Sequence, residues 1–320
     1  MTTVTMRPIM EDRGIWSGFS ICLTDKCNFS CRYCSRNCSI KNNETISLRK
    51  VKEIIDLFHH KNPNGKKAML LTGGEIFVYD YIDEVIEYAL NRGFVCQLQT
   101  NGRLIPEVVK RRPDIYSNQG VRIKISLDGW NAKTHEQYRG HGTFGPVVIG
   151  IKSALSINPN VGVKTVIHEG NLAGIKEMLD FCLEMGVKGW SYNTLMERGR
   201  SRSSTSITEM EVTRKIIPLL KKERYRRLLN GTSIQTYLWL IATGRKSLSP
   251  YFFINSDGGI YITDKTIPER QVGSIYPKVR SSEFSSHRQR VIRRVDLTIE
   301  SEMLELISSH FRVKIERSSL

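Results

Sequence analysis

The sequence predicts an α/β fold in which six β-α units follow one another along the first two-thirds of the chain. Three observations support this prediction: segments of strand length, amphipathic helical stripes between them, and a short polar or glycine-containing loop after each of the first four strands. Such a series predicts a parallel sheet with helices outside. A right-handed series of this kind either winds openly or curls toward a barrel.

Six segments have the length and composition of strands, namely 17–24, 67–72, 93–99, 121–127, 161–167 and 189–195. Amphipathic helices are predicted between them, among others in 47–58, 82–90 and 172–185, where apolar residues recur on one face. In the last of these, we expect Asn171 to be the N-cap and Gly186 to follow the final turn.

After the sixth strand the pattern changes. The polar stretch GRSRSSTS is followed by a helical segment at 208–229, a hairpin-like segment at 251–263 with Asp-Gly-Gly at its turn, and a helical segment at 298–311. We therefore expect a core domain over 1–200 and a small α+β extension over 201–320, which we expect to bind substrate.

The charge of the chain is unevenly distributed. Of the net charge of +16, residues 198–320 carry +11, from 23 Lys and Arg against 12 Asp and Glu. This is consistent with a solvated basic surface or with attraction for an anionic partner. Nucleic acid is not favoured, because no aromatic-rich nucleic-acid-binding module accompanies the charges.

The sequence also bears on the cellular compartment. The N-terminus lacks the apolar region of a secretory signal, and no apolar run approaches the ~18 residues of a membrane span. We expect a soluble, cytoplasmic protein without contact to a membrane. Seven cysteines are an odd number, and cytosolic thiols stay reduced, so a disulfide framework is not expected.

Five of the seven cysteines lie in one stretch, CLTDKCNFSCRYCSRNC, at 22–38. Cys27, Cys31 and Cys34 have the spacing C-x3-C-x2-C on the loop after the first strand. Three thiolates suit an iron–sulfur cluster with one iron left open. Together with Cys38, they would also complete a four-thiolate zinc site, as in a zinc-stabilised binding protein. The cluster is favoured because the thiols follow a buried strand and face the expected ligand site.

Three further strands end in marked loops, TGGE at 72–75, TNG at 100–102 and SLDG at 126–129. Ligands of α/β folds bind at the carboxyl ends of the strands. We therefore expect the cysteines to share one cavity mouth with Glu75, Asn101, Ser126 and Asp128.

These motifs resemble those of the radical S-adenosylmethionine (radical SAM) superfamily. The resemblance rests on CNFSCRYC at 27–34, on GGE and TNG, and on SLDGWNAKTHEQYRGHGTF at 126–144. The last of these and ERGRS at 197–201 are similar to segments of members with a SPASM or twitch extension. The resemblance covers roughly 17–200, and it implies a partial (β/α)6 TIM-type barrel.

The resemblance also implies cofactors and their ligands. Cys27, Cys31 and Cys34 would hold one [4Fe–4S] cluster, and SAM would chelate the open iron. A reductant such as flavodoxin or ferredoxin would supply the electron that cleaves SAM to methionine and a 5′-deoxyadenosyl radical, which abstracts a hydrogen from a substrate carbon. The residues implied in SAM binding are Tyr33, Gly73, Gly74, Glu75, Asn101, Ser126, Asp128, Arg139 and Leu195.

The extension departs from the family pattern. In SDGGIYITDK at 256–265, a cysteine that such extensions often carry is replaced near Thr263, and no cysteine follows Cys182. A second cluster bound by thiolates of the extension is therefore not expected. Tyr261 and Asp264 are the candidate catalytic residues of the hairpin.

The resemblance implies a radical SAM enzyme, and two substrate classes remain open. One is a ribosomal peptide, changed by epimerisation, cross-linking or another C–H functionalisation. The other is a small nucleoside, sugar or antibiotic precursor, changed by decarboxylation, dehydrogenation or epimerisation. The basic extension suits an anionic substrate of either class.

Overall fold

The computed structural model describes residues 17–195 apart from 62 and 66, and beyond them 199–201, 207, 209–220, 222–229, 251–254, 256, 259–264 and 267–274. The helix predicted at 298–311 lies outside the described residues.

The described strands form one sheet in the order β6-β5-β4-β3-β2-β1-β7-β8-β9. They are β1 (Ser17–Cys22), β2 (Lys67–Thr72), β3 (Phe94–Thr100), β4 (Val121–Ser126), β5 (Val161–Ile167), β6 (Gly189–Thr194), β7 (Tyr251–Ile254), β8 (Gly259–Asp264) and β9 (Ile267–Ser274). The first six are parallel and adjacent in chain order. The predicted parallel series is confirmed, and within the described chain β6 pairs only with β5, as in a partial barrel.

Helices connect the strands of this series. They are α1 (Leu48–Lys61), α2 (Ile82–Leu90), α3 (Ile105–Arg111), α4 (Pro113–Tyr116), α5 (Ala132–Arg139), α6 (Phe144–Leu155), α7 (Glu169–Leu172), α8 (Ile175–Glu184), α9 (Glu209–Leu220) and α10 (Glu223–Leu229). In α2, the buried residues Ile82, Val85, Ile86 and Ala89 recur at the spacing that faces a core. No helix in this part of the chain is long and apolar enough to cross a bilayer.

The helix predicted over 172–185 is present as α8, which begins at Ile175, and the prediction that Asn171 is its N-cap is wrong. Asn171 lies in α7, where its Oδ1 accepts from the His168 backbone at 2.9 Å. Its Nδ2 donates to the carbonyl oxygens of Asp128 and Val166, both at 2.9 Å. Because these contacts hold Asn171 against the sheet, α8 begins only after Gly174.

The inner face of the sheet carries polar residues toward its carboxyl edge. In β3, Phe94, Cys96 and Leu98 are buried, whereas the alternating Gln97 and Gln99 are only half-buried. The amide oxygen of Gln99 accepts from Lys164 Nζ of β5 at 3.2 Å. This face therefore suits a polar ligand rather than a packed apolar interior.

The hairpin predicted at 251–263 is present as β7 and β8, which pair antiparallel with Phe253 opposite Tyr261. Strand β7 lies parallel beside β1, with Ile254 opposite Ile21. The turn after β7 consequently lies at the carboxyl end of β1, where the buried Ser256 contacts the Cys22 thiol. The described strands of the extension thus continue the sheet of the core, and a domain boundary near residue 200 stays a prediction.

Candidate active site

A cavity of about 230 Å³ opens at the carboxyl edge of the sheet and is lined by Cys27, Cys31, Cys34 and Cys38. The loop that carries these thiols is fixed by neighbouring backbone: Cys27 N donates to Ser39 O at 3.1 Å, and Arg32 N donates to Tyr138 O at 2.8 Å.

Between the last two thiols, Asn37 adopts a left-handed φ of 56°, a conformation that asparagine tolerates. The turn brings Cys38 N within 3.3 Å of the sulfur of Cys34. The loop is therefore folded into a defined shape around the cavity.

The thiols of this loop differ in acidity. Burial raises the pKa of Cys27 to about 12 and also raises that of Cys31. A hydrogen bond with the Cys38 side chain lowers the pKa of Cys34, and the same contact raises the pKa of Cys38. Three sulfur donors on one cavity wall fit an iron–sulfur cluster, which lowers thiol pKa values when it binds.

A single zinc ion would hold its four thiolates at Zn–S distances of about 2.3 Å. Among the described residues, no group of three or more His, Cys, Asp or Glu side chains is arranged around a single-ion site. The four-thiolate zinc site stays the alternative to an iron–sulfur cluster at these thiols.

Two glycines bring the loop after β2 against the cysteine loop. A Cβ on Gly73, whose φ is +152°, would lie 2.5 Å from the carbonyl oxygen of Thr24, and one on Gly74 would lie 2.2 Å from that of Lys26. The Gly74 N–H donates to Thr24 O at 2.7 Å. Both glycines line the cavity, and only residues without a side chain fit this contact.

Glu75 is fully buried behind the cavity wall. One carboxylate oxygen accepts from the Thr100 hydroxyl at 2.6 Å and from Phe77 N at 3.1 Å, and the other accepts from Asn101 N at 2.6 Å. Burial raises the pKa of Glu75. In this arrangement, Glu75 positions Asn101, which does line the cavity. A direct contact of Glu75 with SAM stays a prediction.

Asp128 is also fully buried and acts through other residues. Its Oδ2 accepts from Arg139 Nε at 2.6 Å and from the Tyr33 hydroxyl, and its Oδ1 accepts from Val166 N at 2.8 Å. Although burial opposes ionisation, the charge of Arg139 holds the pKa of Asp128 below its usual range. Arg139, Tyr33 and Ser126 line the cavity, so Asp128 orients two of the three.

The end of β6 completes the wall. Leu195 lines the cavity, and its N–H donates to Ile167 O at 3.0 Å. Sequence reasoning missed further polar lining residues, among them Gln99, Lys164, Asn193 and Arg200. The alternation of β3 and β5 was a signal for the first two. Arg200 lies in ERGRS at 197–201, which the resemblance marked without implying a role for this residue.

The two candidate catalytic residues of the hairpin lie at different heights along β8. Tyr261 is opposite Phe253, near the middle of the hairpin, and Asp264 pairs with Ile267. Because β8 runs antiparallel to β7, Asp264 lies beyond the amino end of β7, at the sheet edge away from the cysteines. This register does not support a catalytic role for Asp264.

The partial β/α barrel brings three clustered thiols, Gly73 and Gly74, and the buried Arg139 to one mouth. This arrangement is typical of an enzyme that binds a sulfur-ligated cofactor and a small polar ligand. The family model described as the radical SAM superfamily matches residues 21–182. The chain belongs to the radical SAM superfamily, whose members are enzymes. The family implies an iron–sulfur cluster and SAM as cofactors, together with a reductant.

Two curated relatives illustrate the range of the family. The chain is 30% identical to the antilisterial bacteriocin subtilosin biosynthesis protein AlbA of Bacillus subtilis over 181 residues, which are 56% of this chain and 40% of AlbA. It is 31% identical to GTP 3′,8-cyclase of Clostridium perfringens over 212 residues, 64% of this chain and 62% of that protein. The chain thus spans only part of the length of these relatives.

Among solved structures, native anSMEcpe with bound AdoMet and Cp18Cys peptide is similar. The match has a TM-score of 0.65 at 16% identity and covers 84% of this chain and 80% of that chain. At this identity the likeness concerns the fold alone.

Proposed function

We propose that the chain holds one [4Fe–4S] cluster on Cys27, Cys31 and Cys34, cleaves SAM reductively and modifies a ribosomal peptide. The observation that carries the proposal is the convergence of these thiols with Gly74 and Arg139 on one cavity. When bound, the cluster and SAM supply the 5′-deoxyadenosyl radical that abstracts a hydrogen from the substrate, with an electron from flavodoxin or ferredoxin.

The residues of the chain would bind and orient SAM. Arg139, held by Asp128, and Ser126 present hydrogen-bond donors suited to the methionine carboxylate. Gly73 and Gly74 leave backbone accessible beside the cysteine loop, and Leu195 offers an apolar contact for the adenine. The Tyr33 ring covers one side of Arg139, whose guanidinium carbon lies 5.6 Å from the ring centroid.

A peptide substrate is supported by the name of AlbA, a bacteriocin biosynthesis protein, and by the net charge of +11 in 198–320, which suits an acidic leader peptide. A small nucleotide is the second candidate. It is favoured by the likeness to GTP 3′,8-cyclase, whose alignment covers more of this chain than that of AlbA.

SAM cleavage is tested first, with protein reconstituted without oxygen and reduced with dithionite. We expect 5′-deoxyadenosine from the wild type and none from Cys31→Ala. Cys96→Ala is the matched control, because Cys96 is buried in β3 and does not line the cavity. Absence of 5′-deoxyadenosine from a wild-type chain that carries a cluster and binds SAM would contradict the proposed reaction.

The substrate class is tested next by mass spectrometry. Short peptides encoded beside the gene and GTP are incubated separately with the active protein and SAM. A peptide whose mass changes, and which increases 5′-deoxyadenosine release, supports the peptide assignment. Turnover of GTP with no change in any peptide would favour the second candidate instead.

A further inference from the structure

One arginine outside the predicted set binds the backbone of three cysteines. Arg200 lies in the loop after β6, five residues beyond Leu195. Its Nε donates to Cys31 O at 2.8 Å and its Nη2 donates to Cys38 O at 2.8 Å. Its backbone N–H donates to Cys34 O at 3.0 Å. A single residue therefore satisfies the carbonyl groups of Cys31, Cys34 and Cys38.

The preceding glycine makes this contact possible. Gly199 has a φ of +66°, and a Cβ at this position would lie 2.4 Å from Cys34 O and 2.6 Å from the carbonyl carbon of Ser35. A residue with a side chain would both strain the backbone and push the two loops apart. Gly199 thus permits the close approach to the cysteine loop, and Arg200 makes the hydrogen bonds across it.

Arginine suits this position for two physical reasons. Its planar guanidinium can donate to two separate carbonyl oxygens at once, which the point-like ammonium of lysine does less well. It also keeps its positive charge at any physiological pH. Near cluster ligands, a fixed positive charge stabilises the more negative, reduced form of an iron–sulfur cluster.

We propose that Arg200 is a positioning residue that holds the cysteine loop in its ligating shape and raises the reduction potential of the cluster. Arg200 also lines the cavity together with Leu195 at the end of β6. This inference rests on the proposed [4Fe–4S] cluster at Cys27, Cys31 and Cys34.

The test compares Arg200→Gln and Arg200→Lys with the wild type, each as the full chain reconstituted without oxygen. The control is Arg224→Gln, an exposed arginine that pairs with Asp180 on the outside of the barrel. Three quantities are measured: iron per chain, the rate of iron loss to a chelator, and the midpoint potential from an EPR-monitored titration. Circular dichroism melting checks that each variant is folded.

We expect Arg200→Gln to lose iron about tenfold faster, because two charge-assisted hydrogen bonds are removed, and to have a more negative midpoint potential. Arg200→Lys keeps the charge, so its potential should stay near that of the wild type while its iron loss is faster. The control should match the wild type in every measurement.

Wild-type iron loss and potential in a folded Arg200→Gln would overturn the inference. Equal potentials of the Gln and Lys variants, both below the wild type, would refute the role of the charge. A wild-type chain that holds no cluster would instead contradict the proposed function, so the two failures are distinguishable.

Discussion

At the scale of single residues, the two carboxylates predicted to bind SAM are fully buried and hold other groups in place. Glu75 fixes the backbone of Asn101, and Asp128 fixes the guanidinium of Arg139. A buried carboxylate that accepts several hydrogen bonds is a rigid anchor, since the desolvation cost is offset only while each bond is made. The residues that contact the cavity are thus oriented before a ligand arrives.

Arg139→Ala should weaken SAM binding while the cluster still assembles, because Arg139 lines the cavity from α5 and not from the cysteine loop. Loss of charge-assisted hydrogen bonds worth roughly 1.5–3 kcal/mol corresponds to about one to two orders of magnitude in affinity. Titration of the reconstituted protein with SAM measures the change. Arg111→Ala, an exposed residue of α3 that pairs with Asp83, is the control. Unchanged SAM affinity in Arg139→Ala would contradict the assignment.

Glu75→Ala should also weaken SAM binding without loss of the cluster, either directly or through the released Asn101. Glu75→Gln keeps the size of the side chain but turns one accepting oxygen into an N–H donor, so it should weaken SAM binding less than Glu75→Ala does. The same titration applies to both variants. SAM affinity equal to the wild type in Glu75→Ala would show that neither the carboxylate nor the position of Asn101 matters for SAM.

Two buried histidines make the free energy of unfolding depend on pH. Burial lowers the pKa of both His135 and His168 to about 4, and His135 Nδ1 accepts from Asp128 N at 3.2 Å, which requires a neutral ring. The histidines of the unfolded chain bind protons more readily than those of the folded chain. The stabilisation by the two neutral histidines is therefore present above pH ~6.5 and is lost as the pH falls toward 4.

Between pH 7 and pH 5, each of these histidines should reduce the free energy of unfolding by up to about 2 kcal/mol. Urea unfolding of the cluster-free chain at the two pH values measures the loss. His135→Gln should retain only part of the pH dependence, whereas His141→Gln, at an exposed position, should retain all of it. Equal pH dependence in all three proteins would refute the role of His135.

At the scale of elements, the site depends on two loops that touch without side chains between them. The turn after β2 donates two backbone hydrogen bonds to the loop after β1, from Gly74 N to Thr24 O at 2.7 Å and from Glu75 N to Lys26 O at 2.9 Å. These bonds place the glycines beside the cysteines. The distance between the two loops is set by the spacing of the parallel strands β1 and β2 and by the missing Cβ atoms of the glycines.

Gly74→Ala should separate these loops, because the added Cβ would overlap the carbonyl of Lys26. We expect a loss of about 1–3 kcal/mol in the free energy of unfolding and reduced iron content after reconstitution. Gly145→Ala in α6 is the control, since no atom lies within 4 Å of its added Cβ, and it should be neutral or slightly stabilising. Wild-type stability of Gly74→Ala would show that the loop contact tolerates a side chain.

At the scale of the whole molecule, the seven cysteines separate into two groups. Cys27, Cys31, Cys34 and Cys38 line the cavity. Cys22, Cys96 and Cys182 are fully buried, and burial raises their pKa values. Cys96 and Cys182 pack in the apolar core, whereas the Cys22 thiol donates to Thr24 O and to Asp25 Oδ1. No cysteine follows Cys182 in the sequence. This division of the thiols supports the proposal of a single cluster.

Reconstituted protein should accordingly contain about four iron and four sulfide ions per chain, the composition of one [4Fe–4S] cluster. Cys38→Ala should keep this content, whereas Cys31→Ala should lose it. Iron and sulfide analysis with EPR of the reduced protein provides the measurement. About eight iron ions with two distinct EPR signals, or loss of the cluster in Cys38→Ala, would contradict the assignment of three ligands to a single cluster.

The sequence by itself determined the series of six β-α units and the edge at which the motifs meet. Both follow from local rules: the period of the apolar residues distinguishes helix from strand, and parallel strands bring their carboxyl ends to one edge. The glycines of GGE and the spacing of the three cysteines could be assigned from the sequence for the same reason. In each motif, the residues that define its chemistry lie within a few positions of one another in the sequence.

Only the tertiary structure decided which of these residues face the cavity and which support them. The burial of Glu75 and Asp128, the contacts of Asn171 in α7, and the position of Asp264 at the far edge depend on contacts between distant segments. Arg200 is the clearest case, since it binds Cys31 across 169 residues of chain. Local periodicity cannot reveal such contacts, because they depend on the packing of the folded sheet and its loops.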